Sequence, residues 1–157
     1  YEVYTVNDQF YGTLANASGY YRGKKDHVDI YVPEKSQELV VTYVQEQRRT
    51  ATVFERDKAA SANPYDVFFG GNHGLMQLDT AQSGKRLLVI KDSYANCFLP
   101  FLIPYYKSIT VVDPRYYYDD LDKLIEEQGI QEILFLYNAN TFFSDDSLNE
   151  ILKKEVK

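Results

Sequence analysis

Ser93 stands directly after an apolar run, in the stretch Leu87–Phe101, LLVIKDSYANCFLPF. A serine on a tight turn between a buried strand and a helix has the helix's first backbone N–H groups beside its hydroxyl. Those groups can bind the oxyanion of an acyl-transfer step. The same position suits an ordinary N-cap serine, and the spacing admits both roles. A nucleophilic serine needs a base, and the sequence holds two histidines, His27 and His73. His73 lies in Gly70-Gly71-Asn72-His73-Gly74, where glycines let the backbone approach a substrate closely; it can equally bond locally. His27 lies in the polar run GKKDHVD and reads as a solvated turn residue. Arg115, after Asp113-Pro114, can clamp a carboxylate or steady an anionic intermediate, or pair with Asp92, Asp113 or Asp119. Asp92 can orient Ser93 or cap the helix after it. Asn138 brings a hydrogen-bonding side chain to the end of another apolar run, ILFLY.

The elements that must position these residues change character near residue 85. Before it the pattern is strand-like: Tyr1–Val6, Asp29–Val32, and a hairpin of Leu39–Val44 and Thr50–Phe54 around the polar QEQRR. Asn16-Ala-Ser-Gly19 is a turn signal, and Val67–Phe69 is a short apolar run that reads as a strand. After residue 85 the order reads βαβαβα. Leu87–Ile90, Ile109–Val112 and Ile133–Tyr137 are continuous apolar runs, as strands buried on both faces require. A helix is expected over Ser93–Tyr106, interrupted at Pro100 and Pro104. A second covers Asp120–Gln128, capped by Asp119 or Asp120 and ended by Gly129. A third covers Ser144–Lys154, with Ser147–Glu150 in capping-box form and Ser144 as an equal cap candidate. Three β–α units imply parallel pairing with right-handed crossovers, and ligands in such sheets bind beyond the strands' carboxyl ends. Lys91-Asp92-Ser93, Asp113-Pro114-Arg115 and Asn138-Ala139-Asn140 all fall there. The expected fold class is α/β, a parallel sheet core in residues 85–157 with a β-hairpin-rich N-terminal half. The chain reads as a single domain over residues 1–157, with a hairpin portion at 1–60 and an α/β portion at 61–157.

Composition bounds the partners. The 157 residues carry 17 Lys and Arg against 23 Asp and Glu, a net charge of −6. That argues against nucleic acid, which calls for a basic patch, and against an anionic membrane surface. No run approaches the ~20 apolar residues of a membrane-spanning helix. The single cysteine, Cys97, excludes a disulfide framework and reads as a buried small hydrophobe. No histidine and carboxylate cluster has metal-ligand spacing, so no metal and no cofactor is expected. Fifteen tyrosines suit strands, or a surface that meets carbohydrate, because the ring packs while the hydroxyl stays wet.

The blocks FFGGNHGLMQL, LLVIKDSYANCFLPFLIPYY, ITVVDPRYY and ILFLYNANTF, in this order and spacing, resemble the C-terminal half of the DHHW family of bacterial proteins. That family is related to SGNH-like esterases and acyltransferases, including the alginate O-acetyltransferase group. The resemblance covers residues 60–145 most closely, and KDSYANCF is its most specific part. It implies a three-layer flavodoxin-like (SGNH-type) sheet and a Ser-His-Asp triad with Ser93 as nucleophile. It implies Asp92, Gly71, Asn72, His73, Arg115 and Asn138 around the oxyanion and substrate. The family's Asp and His come from an Asp-His-His-Trp motif, and this sequence has neither a His-His pair nor a Trp. The base is therefore expected on a preceding segment, with this chain alone inactive. The implied partner is a carbohydrate or other acyl-ester substrate, at the outer face of a bacterial cell. The alternative is an inactive SGNH-like scaffold that binds glycan or a cell-envelope partner. A receiver-like signalling domain fits Asp92, Asp113 and Lys91 less well, because the acidic cluster and the Thr/Ser–Lys order are missing.

Overall fold

The computed structural model describes residues 1–35 and 37–153. The fold is mixed α/β, with two sheets and few helices. It divides into two compact units, Tyr1–Ser36 with Phe54–Gly71, and Gln37–Val53 with Asn72–Lys157.

In the first unit β1 (Glu2–Phe10) pairs antiparallel with β2 (Asp26–Val32), Tyr4 opposite Ile30. Asn16–Gly19 proves to be the end of a short helix, α1 (Thr13–Ser18), closed by Gly19 in the left-handed region. Val28, Val67, Phe68 and Phe69 are buried in this unit. The strand expected at Val67–Phe69 does not form. Pro64 starts a 3₁₀ turn that runs to Val67, and Phe69, Gly70 and Gly71 then all take positive φ. A chain turning that tightly cannot stay extended. Only Phe68 makes a bridge, to Phe54.

The second unit is built on six strands: β3 (Leu39–Tyr43), β4 (Arg48–Thr50), β5 (Leu75–Thr80), β6 (Arg86–Lys91), β7 (Ser108–Val112) and β8 (Glu132–Leu136). Their order is β4-β3-β5-β7-β6-β8. β6 pairs parallel with both β7 and β8, while β4–β3, β3–β5 and β5–β7 run antiparallel. The sheet is thus mixed, and most pairing in the molecule is antiparallel. Sequence periodicity shows which runs are strands but not which neighbours they choose. β6 lies between two strands, and its residues from Leu87 to Lys91 are all buried.

One face of this sheet is covered by α2 (Leu121–Gln128) and α4 (Ser147–Leu152). Leu121 and Leu124 pack with Leu75, Leu88, Ile90, Val112 and Tyr117, and Ile125, Leu148 and Ile151 close over them. Each such aliphatic side chain contributes roughly 1.5–3 kcal/mol on burial. α2 starts where Asp120 accepts from the Lys123 N–H at 2.9 Å and stops at Gly129, φ 58°.

Two expected helices are corrected. Ser93–Tyr106 forms three 3₁₀ turns, Ser93–Ala95, Leu99–Phe101 and Ile103–Tyr105. Pro100 and Pro104 have no N–H to give and would clash with the carbonyl four residues back, so the tighter ladder replaces an α-helix. Its three-residue period turns Ala95, Asn96 and Leu99 inward and Tyr94, Cys97 and Phe98 outward. Cys97 is therefore exposed rather than buried. The last helix, expected over Ser144–Lys154, is the shorter α4, and Ser144 instead ends a separate helix, α3 (Ala139–Ser144); Lys154 lies outside the described residues. Ser147 is the first residue of α4, not its cap, and its hydroxyl donates to Asp145.

Candidate active site

The end of β6 carries the site's polar core. Lys91 is its last residue, and Asp92 follows with extended backbone, φ −104° and ψ −172°. The Asp92 carboxylate accepts from the Tyr94 N–H at 2.9 Å, so Asp92 and not Ser93 is the N-cap of the turn. That displaces the N-cap role for Ser93, which sits half-buried at the first position of the turn. Asp92 also accepts from the Asn138 N–H, at 3.2 and 3.3 Å, which ties the loop after β8 to the loop after β6. The Asn138 side chain caps α3 by accepting from the Asn140 N–H at 2.8 Å.

Beside this lies a buried charge network. Lys91 and Asp113 are fully buried, with Nζ 3.3 Å from Asp113 Oδ2. Arg115 grips the same carboxylate twice, Nε to Oδ1 at 2.9 Å and a terminal nitrogen to Oδ2 at 2.7 Å. Arg115 thus makes the ion pair with Asp113 that is one of its two expected roles. Its hydrogen bonds to Asp113 raise its pKa further, against the opposing effect of burial. Burial pushes the Lys91 ammonium down, while Asp113 works to hold its proton. Asn72 joins the network: its Oδ1 accepts from Lys91 Nζ at 3.3 Å and from Asn96 Nδ2 at 3.1 Å. The Tyr137 hydroxyl, at the end of the run after β8, is buried with no hydrogen-bond partner among the described residues, and its pKa is raised first by burial and then by Asp113 and Asp92.

His73 turns elsewhere. Its Nδ1 is hydrogen-bonded to Glu46 Oε1 at 2.7 Å, on the turn between β3 and β4, and its ring stands edge-on to Tyr43 at 4.6 Å. The Arg48 guanidinium covers the same tyrosine at 3.9 Å. Burial raises the Glu46 carboxyl, but the His73 hydrogen bond, its own backbone N–H and the nearby charges outweigh it and the net shift is downward. Gly71 belongs to the first unit, and its N–H donates to the Phe68 carbonyl at 3.3 Å. The site residues brought together are therefore Asp92, Asn72, Arg115 and the backbone of Asn138. Lys91, Asn96 and Asp113 complete the network. Lys91 is signalled only as a charged residue closing an apolar run, and Asn96 by nothing in the sequence pattern. His27 is exposed as expected but lies within β2 rather than on a turn, 3.1 Å from Asp29. The cavity lined by Pro114, Tyr117, Asp119, Glu150 and Ile151 lies at the start of α2, and Ser93 does not line it. No helix among the described residues is long and apolar enough to cross a membrane.

Comparison with solved structures gives the same fold in longer chains. This chain is similar to a DHHW family protein from Eubacterium siraeum DSM 15702, with 26% identity and a TM-score of 0.81 over 98% of its length. Bacillus cereus PatB1 carrying a sulfonyl adduct matches at 20% identity and a TM-score of 0.67 over 90% of the chain. A further PatB1 structure matches at 22% and 0.61 over 75%. The chain covers 54%, 48% and 41% of these proteins, so it spans about half the length of the structures it matches. No family model matches the sequence, and no curated protein does.

Proposed function

We propose that this chain is the nucleophile-bearing half of a DHHW-family, SGNH-like serine esterase or O-acetyltransferase that acts on acylated carbohydrate at the bacterial cell surface. The observation that carries the reading is the division of labour at the end of β6: Asp92 takes the capping role, and Ser93 stands in the first turn beyond a strand buried from Leu87 to Lys91. The parallel trio β7-β6-β8 supports a flavodoxin-like arrangement whose site lies at these carboxyl ends. β8 is an edge strand among the described residues and leaves Ile133 and Phe135 half exposed, which suits continuation of the sheet by another segment. The likeness to the DHHW protein and to PatB1, a protein that accepts a sulfonyl group, favours an activated nucleophile.

In this mechanism the Ser93 hydroxyl attacks an ester carbonyl carbon and passes its proton to a histidine on a segment outside this sequence, which an aspartate orients. The Ser93 N–H and the Asn72 side-chain amide hold the oxyanion; the Gly71 N–H, bonded within its own turn, does not. The carbon–oxygen bond to the sugar breaks and the sugar oxygen leaves with the proton. Water or a second sugar hydroxyl then attacks the acyl-serine, giving esterase or transferase turnover. The test is a serine-directed phosphonate on the full-length protein. An adduct on Ser93, lost in Ser93→Ala, is expected; a fully folded protein that forms none overturns the reading. One observation favours a glycan-binding scaffold instead: Tyr4, Tyr20, Tyr21 and Tyr31 are exposed in the first unit. Saturable glycan binding with no turnover of any acetylated sugar would select it.

A further inference from the structure

Lys91 has no role in the chemistry above, yet an ammonium is fully buried there. Burying such a charge carries a desolvation penalty that only well-placed partners offset. Compensation of Asp113 does not account for it, because Arg115 already meets both oxygens of that carboxylate. An apolar chain of the same length in place of Lys91 would leave Asp113 paired and avoid the desolvation cost. What an apolar chain would not supply is the second contact, Lys91 Nζ to Asn72 Oδ1 at 3.3 Å. An ammonium has donors only, so it accepts one end of an amide and refuses the other. Asn96 Nδ2 donates to the same oxygen at 3.1 Å. Turned over, Asn72 would set its own NH₂ against the Lys91 ammonium, which can only donate, whereas the Asn96 amide can turn over with it.

We infer that Lys91 is a positioning residue that locks the Asn72 side chain with its oxygen inward, Asn96 adding a second contact to that oxygen, so that the Asn72 NH₂ is presented to the oxyanion. The inference rests on the esterase or acyltransferase reading and deepens it. It assigns the buried lysine to transition-state binding rather than to stability or proton transfer. Loss of the lock therefore acts on kcat and leaves KM nearly alone, since the ester carbonyl meets the donor fully only when charge develops.

The experiment is steady-state hydrolysis of p-nitrophenyl acetate by the full-length protein and its Asn72→Ala, Asn96→Asp, Lys91→Met and Asn72→Ala/Asn96→Asp forms. Asn72→Ala should lower kcat by about 10²–10³-fold, the usual cost of one oxyanion donor. Asn96→Asp keeps size and shape but offers an acceptor to Asn72, turning the amide over. It should lower kcat at least tenfold with KM little changed, and add nothing in the double variant. Lys91→Met should behave likewise; if it does not fold, Asn96→Asp carries the test. Near-parental kcat in Asn96→Asp, or losses that multiply in the double variant, overturns the positioning role while Asn72→Ala remains impaired. Parental kcat in Asn72→Ala overturns the oxyanion assignment itself and the lock with it. Loss of Ser93 labelling by a phosphonate in the unsubstituted protein separately marks failure of the nucleophile reading.

Discussion

The two halves of the six-stranded sheet handle charge in opposite ways. At the carboxyl ends of the parallel strands, Lys91, Asp92 and Asp113 are buried and every one has partners from another loop. In the antiparallel half, Glu46 and Arg48 sit around the tight turn between β3 and β4, where Glu46 keeps contact with water. The connections explain the difference. A hairpin leaves its turn at the surface, whereas the crossovers of the parallel trio fold polar loops against one another and remove them from solvent. Polar groups at parallel strand ends must then satisfy each other, and that mutual bracing holds Ser93's surroundings in one arrangement.

The contrast can be broken by removing its anions in turn. Asp113→Ala leaves Lys91 buried without a counter-charge and should cost about 3–5 kcal/mol, read as a lower urea midpoint. Gly74→Ala tests the seam between the halves, where the Gly74 carbonyl accepts from the Asp113 N–H at 3.1 Å. A Cβ there would meet the Tyr116 carbonyl oxygen at 2.3 Å, backbone that cannot swing aside. A loss of about 1–3 kcal/mol is expected in the same denaturation. Asp92→Ala removes the cap and the tie to Asn138, and about 1–2 kcal/mol should follow. A pH titration sharpens the comparison from the core between β6 and α2. Burial, then Asp119 and Asp120, pushes the Tyr117 phenol up to about 12. The unfolded chain loses that proton near 10 and the folded one later, so Tyr117's contribution is intact below 10 and falls as pH rises toward 12. Tyr117→Phe should flatten that limb of the thermal midpoint against pH. The smallest effect belongs to the hairpin. Glu46→Gln should change stability by less than about 1 kcal/mol, since the Glu46 side chain is itself exposed to water. What it removes is stability present above the usual carboxylate pKa and lost as pH falls through the lowered one.

Much of the sheet was legible, for physical reasons. Leu87–Ile90 and Ile109–Val112 read as buried strands because a strand covered on both faces has no polar side to show; Ile133–Tyr137 reads the same way, but β8 leaves Ile133 and Phe135 half exposed. α2 announced itself through Asp120 and Gly129, whose cap and left-handed turn are local chemistry. What the sequence hid depends on contacts between distant residues. Nothing in LMQLDT says that β5 lies antiparallel to β7, and nothing links Glu46 to His73 across the chain. The prolines were visible, but their conversion of a whole helix into 3₁₀ turns was not, and Cys97 was misplaced with it. At the site, the polar loops were legible as positions. The exchange of roles between Asp92 and Ser93 was not, since a single residue of turn geometry decides which side chain caps.

That run of 3₁₀ turns also makes the molecule convenient to watch. It turns the single thiol of these 157 residues outward, four residues beyond Ser93. A maleimide dye attached at Cys97 would need no engineered cysteine and would report at a unique address. Its fluorescence would follow the environment of the serine turn as reagents, sugars or a second polypeptide arrive.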